Sequence, residues 1–96
     1  MSETAFYILF CLQEPQHGYG IGQEVKAMTK GEVSISPGTM YGTLSKMEKD
    51  GLINFVREAE KRKIYEITEL GREILTTEMN RIKRIYINSI GDEYNG

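Results

Sequence analysis

The hydrophobic positions of this chain switch from helical spacing to alternation and back, and each switch marks an element. The run Ala5-Phe6-Tyr7-Ile8-Leu9-Phe10-Cys11-Leu12 is uninterrupted. Apolar character nearly all round predicts a buried helix over about residues 3–13. Glu14-Pro15-Gln16 ends it, because proline cannot continue the hydrogen-bond ladder. Tyr19, Ile21 and Val25 give a partial apolar face to a second helix from His17 or Gly18 to about Met28. Gly20 and Gly22 weaken it by roughly 1 kcal/mol each relative to alanine. Lys30-Gly31-Glu32 reads as a loop, and Val33 to Ile35 as a short strand. Met40, Leu44 and Met47 predict a third helix over about 37–50. Ser36 is its expected N-cap, Pro37 its first residue and Gly51 its stop. Ile53 and Phe55, then Ile64, Tyr65 and Ile67, flank the charged segment Arg57–Arg62 and predict a two-stranded hairpin. Thr68 then caps a final helix, with Glu69 well placed against its dipole. Its stripe is Leu75, Met79, Ile82, Tyr86 and Ile90, and Asp92 to Gly96 is expected to fray.

The order helix, helix, helix, hairpin, helix defines a fold class that is mainly α with a small β-hairpin, the winged helix-turn-helix. Residues 1–68 form the expected winged domain and 69–96 its C-terminal dimerisation helix and tail, as one compact unit. In such a fold the third helix enters the major groove of DNA and the wing lies along the backbone or minor groove. The third helix suits that task. Thr39, Gly42, Ser45, Lys46 and Lys49 fall off its apolar stripe and are small, hydroxylated or basic. The final helix, at about 22 residues, is ~33 Å long. So small a core cannot cover that length, so the seam Leu75, Met79, Ile82, Tyr86 and Ile90 is expected to pair with a second copy.

Charge complicates this picture before supporting it. The 96 residues carry a formal net charge of -2, against the basic footprint usual for nucleic-acid binding. The distribution is uneven, however. Residues 34–67 hold six bases against five acids, while both flanking sections have an acidic excess. The cluster Lys61-Arg62-Lys63 lies in that middle section, where a local patch can meet phosphates.

Catalytic chemistry is not indicated. Gly18, Gly20 and Gly22 follow a helix and lack phosphate-loop spacing. His17, the single histidine, reads as a hydrogen-bonding residue at a helix start rather than a metal ligand or base. Cys11, the single cysteine, reads as a core residue and allows no intramolecular disulfide. No metal site, cofactor or enzyme activity is expected. The longest apolar run is too short to span a bilayer, and a cytoplasmic location is expected.

Several pieces together resemble the PadR family of winged helix-turn-helix transcriptional regulators. They are Pro15-x-His17-Gly18-Tyr19, Ser36-Pro37-Gly38-Thr39-Met40-Tyr41, Leu44-x-x-Met47-Glu48-x-x-Gly51-Leu52-Ile53 and Arg62-Lys63-x-Tyr65-x-Ile67-Thr68-x-x-Gly71. The chain departs from the family pattern at Gly20, at Gly42 and in a wing without a tip glycine. The resemblance implies a homodimeric repressor on a palindromic double-stranded DNA operator, relieved by a small-molecule effector of unknown identity. It implies DNA contacts from Tyr19, Ser36, Pro37, Gly38, Thr39, Tyr41, Gly42, Ser45, Lys46, Lys49, Lys61, Arg62 and Lys63. The alternative is a winged-helix protein-interaction module that no longer binds DNA.

Overall fold

The computed structural model describes residues 1–95, with side chains described for 1–91. Four helices and three strands follow in the order α1 (Glu3–Cys11), β1 (Gln16–His17), α2 (Gly18–Met28), α3 (Pro37–Lys49), β2 (Ile53–Ala59), β3 (Arg62–Ile67) and α4 (Glu69–Asn95). The sheet is antiparallel, in the order β1-β3-β2.

Local chemistry sets the helix ends. Ser2 caps α1 by accepting the Ala5 N–H at 3.1 Å. The Ser36 hydroxyl accepts the Thr39 N–H at 3.2 Å, and Pro37 opens α3, where a missing N–H costs nothing. α3 stops in a Schellman pattern, with Leu52 N–H on Met47 O at 2.9 Å and Gly51 N–H on Glu48 O at 3.1 Å. Thr68 then joins the end of α3 to the start of α4. Its hydroxyl donates to Gly51 O at 2.6 Å and accepts the Gly71 N–H at 3.0 Å. A Cβ on Gly71 would collide with the Leu52 carbonyl oxygen, so only glycine admits this packing.

The core is one cluster drawn from every helix and the two longer strands. It contains Ile8, Leu9 and Leu12 of α1 and its C-cap, Ile21 and Val25 of α2, Met40, Leu44 and Met47 of α3, Ile53, Tyr65 and Ile67 of the hairpin, and Leu75 of α4. Cys11 is 7% exposed in this cluster. Burial, and the adjacent Glu24 carboxylate, push its thiol up to about 12, so it stays protonated and inert.

The structure corrects four sequence-based expectations. The hairpin gains a third strand, because Gln16 and His17 pair with Tyr65 and Ile64. Two residues are too short to show any periodicity. Val33 to Ile35 is not a strand; the Val33 N–H is taken instead by the Thr29 hydroxyl at 3.0 Å. The wing turn is two residues, not the whole charged segment. Glu60 and Lys61 take φ of 51° and 64°, as a tight hairpin turn of right-twisted strands requires. Arg57 to Ala59 and Arg62 are therefore strand residues, with a bulge between Phe55 and Arg57. Finally, α4 has 27 residues, longer than expected, and its Leu75 lies in the domain core at 2% exposure rather than in an open seam. The tail expected from Asp92 is helical to Asn95; its side chains, and all of Gly96, lie outside the described residues.

Candidate nucleic-acid interface

α3 presents two opposed faces. Met40, Leu44 and Met47 point into the core, and helical spacing puts Gly38, Thr39, Gly42, Ser45, Lys46 and Lys49 on the far side, all exposed. A Cβ added at Gly38 or Gly42 would meet nothing within 4 Å, so the backbone itself is open to close approach there. Ser36 is less free than its sequence position implies. Besides capping α3, its hydroxyl donates to Thr39 Oγ1 at 3.0 Å. Lys46 reaches Asp50 at 3.2 Å, but this is a solvent-exposed pair, worth little and easily exchanged. Among the described residues Lys49, Lys61 and Lys63 form no ion pair.

A groove of about 430 Å³ separates α3 from the wing, lined by His17, Tyr41, Ser45, Arg62, Lys63 and Tyr65 among others. Tyr41 lies along its wall, half exposed, with its ring against Gly18. A Cβ on Gly18 would sit 3.0 Å from that ring, so the glycine lets α2 and the tyrosine approach. The positive cluster of the wing is diluted, since Glu58 lies opposite Lys63 in register and Glu60 precedes Lys61. Tyr65 forms the inner wall. Burial, and the nearby charge of Glu48, raise its hydroxyl above the usual tyrosine range.

At the start of α2 a small polar network forms around His17. Its Nδ1 accepts the Gly20 N–H at 3.0 Å, the capping role its position predicts. The Tyr19 hydroxyl accepts from Gln23 Nε2 at 3.2 Å. Arg62 of the wing lies over the Tyr19 ring, 4.7 Å from its centroid.

The face of α4 behaves differently. Beyond Leu75, Met79, Ile82 and Tyr86 are 44%, 43% and 65% exposed, and Ile90 is half-buried. Ile85 and Ile87, outside the predicted stripe, are also exposed. Only their apolar character signalled them. An open groove of about 600 Å³ between α1 and α4 is lined by Phe6, Tyr7, Met79, Ile82 and Tyr86 among others. Beside it Glu78 accepts from Arg81 Nε at 3.0 Å and Nη2 at 2.7 Å. That paired hydrogen bond holds the Glu78 carboxyl down to about 2.

Among the described residues no cluster of three or more His, Cys, Asp or Glu could hold a metal, and no helix is long and apolar enough to cross a membrane. The site offers hydroxyls, amides of an accessible helix backbone and flexible cations. Such groups are of the kind that meet a polyanion and hydrogen-bonding edges.

Comparison with known proteins identifies relatives and a family. The chain is 33% identical over 69 residues to an uncharacterised protein X of Lysinibacillus sphaericus, covering 68% of this chain and 63% of that protein. It is 30% identical over 80 residues to a transcriptional regulator of Mycobacterium tuberculosis, covering 80% of this chain and 72% of that one. Among curated relatives it thus spans under two-thirds of the Lysinibacillus protein and only 20% of a 37.1 kDa transposon protein of Streptomyces fradiae. The fold superimposes on Bacillus subtilis PadR in complex with operator DNA with a TM-score of 0.73 at 23% identity, over 81% of this chain and 47% of that one. Residues 8–77 match the model of the transcriptional regulator PadR-like family. The chain belongs to that family of transcriptional regulators, which are not enzymes.

Proposed function

We propose that this regulator is a cytoplasmic repressor that binds a palindromic operator as a homodimer. One observation supports it most: the outer face of α3 is unobstructed, open to its own backbone at Gly38 and Gly42, and carries the exposed lysines Lys46 and Lys49. Thr39, Gly42 and Ser45 are assigned to base edges. Tyr41, Lys46, Lys49, Lys61, Arg62 and Lys63 are assigned to phosphates, with Ser36, Pro37 and Gly38 setting the entry of the helix into the groove. A fold neighbour, Bacillus subtilis PadR, is a complex with operator DNA, which supports DNA as the partner. The exposed face of α4 supports pairing, because two-fold symmetry would cover it and set two recognition helices about one DNA turn, roughly 34 Å, apart.

Gel-shift titration against the protein's own promoter region tests the reading. A discrete, salt-sensitive complex is expected. Thr39→Ala combined with Ser45→Ala should weaken it by about 1–3 kcal/mol without changing affinity for random duplex. Equal affinity for promoter and random DNA would remove the base-reading role. Absence of any salt-dependent DNA binding would favour a protein-interaction module instead.

A further inference from the structure

Arg62 is the only one of the three clustered wing bases with an aromatic partner among the described residues. Its guanidinium carbon lies 4.7 Å from the Tyr19 ring centroid. The ring is fixed from its own side of the contact. Its hydroxyl is tied to Gln23 at 3.2 Å, and the His17 imidazole stacks with it at 6.5 Å and 23°. His17 is fixed in turn, by its cap to Gly20 and by pairing with Ile64, two residues from Arg62. The start of α2 and the Arg62–Ile64 stretch of the wing are therefore one unit, with Tyr19 as its flat surface.

A guanidinium stacked on a ring keeps its in-plane N–H donors free, whereas an ammonium offers only a point charge. Stacking also removes rotamer freedom before any ligand arrives, which lowers the entropic cost of binding. Lys61 and Lys63 have no such support. We propose that Tyr19 is a positioning residue whose ring pre-aims the Arg62 fork at the DNA backbone, and that its hydroxyl is not a phosphate ligand. The proposal rests on the DNA-binding reading above and replaces the direct DNA contact by Tyr19 that the resemblance implies.

The test is promoter-duplex binding by fluorescence anisotropy over a salt series, for wild type, Tyr19→Phe, Tyr19→Leu, Arg62→Ala and the double variant Tyr19→Leu with Arg62→Ala. Tyr19→Phe should bind nearly as wild type does, since the ring and its stack with His17 remain and only the exposed bond to Gln23 is lost. Tyr19→Leu should bind about fivefold more weakly, the effect of an exposed cation–π contact. Arg62→Ala should lose at least as much and flatten the salt slope by about one unit. In the Arg62→Ala background, Tyr19→Leu should cost nothing further. Additive losses, or a Tyr19→Phe defect as large as that of Tyr19→Leu, would overturn the proposal. An independent arm needs no DNA. Arg62 side-chain proton resonances should be shifted upfield by the ring in wild type and return to ordinary positions in Tyr19→Leu. Unshifted wild-type resonances would overturn the platform whatever the binding data show. Shifted resonances with no promoter binding at all would place the failure in the DNA-binding reading, and the role given to the pair would fall with it.

Discussion

α3 and α4 carry apolar stripes of the same three-and-four spacing, yet one is sealed and the other mostly bare. Met40, Leu44 and Met47 are 3%, 1% and 4% exposed, whereas Met79, Ile82 and Tyr86 are 44%, 43% and 65% exposed. Length explains the difference. α3 has 13 residues and fits within the core, while α4 has 27 and is ~40 Å long by the rise per residue. The molecule is 54 Å along its longest axis but only 29 and 19 Å along the others. Periodicity thus identifies a helix and its sticky face but not what covers it. The bare part is also wide. Ile85, Ile82, Tyr86 and Ile87 span an arc of roughly 200° at 100° per residue. A core-facing helix shows an apolar stripe of about 100°. A single facing helix would leave part of this arc in water, so a second copy would need to offer more than one element, as the groove between α1 and α4 allows.

The sharpest way to break this contrast is to damage each stripe in turn. Leu44→Ala should cost about 2–5 kcal/mol of folding stability, because a buried leucine leaves both transfer energy and a cavity. Ile82→Glu with Ile90→Glu should leave far-UV circular dichroism intact and instead convert a dimer to a monomer with weak operator binding. Denaturant titration and sedimentation equilibrium separate the two outcomes. If the charged pair lowers folding stability as Leu44→Ala does, the bare stripe belongs to the protomer's own core. Wild-type protein that is monomeric at tens of micromolar would end the assignment of α4 to dimerisation.

Much of the fold was legible because local chemistry and global packing agree. Ser36, Pro37, Gly51 and Thr68 were readable as caps and stops, and each makes the corresponding hydrogen bond or takes the corresponding position. Failures came where the decisive partner is distant in sequence. β1 exists only because β3 pairs with it, and two residues hold no pattern. Val33 reads as a β-former, but a local bond from Thr29 claims its amide. Leu75 and Met79 continue one stripe, yet only the first falls within reach of the core. At the interface the outer face of α3 followed directly from helical spacing. The coupling of Tyr19 to Arg62 did not, because 43 positions separate them and only the fold brings them together.

A smaller perturbation sharpens the comparison from the α3 side. Gly42→Ala adds a methyl group where nothing lies within 4 Å. In a helix interior that change should raise stability by roughly 0.5–1 kcal/mol. If the backbone at Gly42 closes on DNA, promoter affinity should fall, by about tenfold, while thermal stability rises. Opposite signs in the two measurements mark a residue kept for contact rather than for folding. A stabilised variant with unchanged affinity would show that α3 meets DNA through another part of its outer face.

The smallest expected effect lies at the boundary within α4, where the covered turn ends and the bare stripe begins. Glu78 sits between Leu75 and Met79, and its carboxylate is clasped by Arg81 through two hydrogen bonds. The folded chain holds this carboxyl near 2, below its ordinary value of 4.5. A depressed carboxylate favours the folded state above its unfolded pKa, and the benefit disappears as pH falls through the folded value. Glu78→Gln should therefore be less stable than wild type at neutral pH, and the gap should close between about 4.5 and 2. Arg81 is 43% exposed, so salt should narrow the gap as well. Urea midpoints of the two proteins at neutral pH and near pH 2, each at low and high salt, supply the measurement. A gap that is the same at both pH values would mean that Glu78 supports α4 through packing and not through its charge.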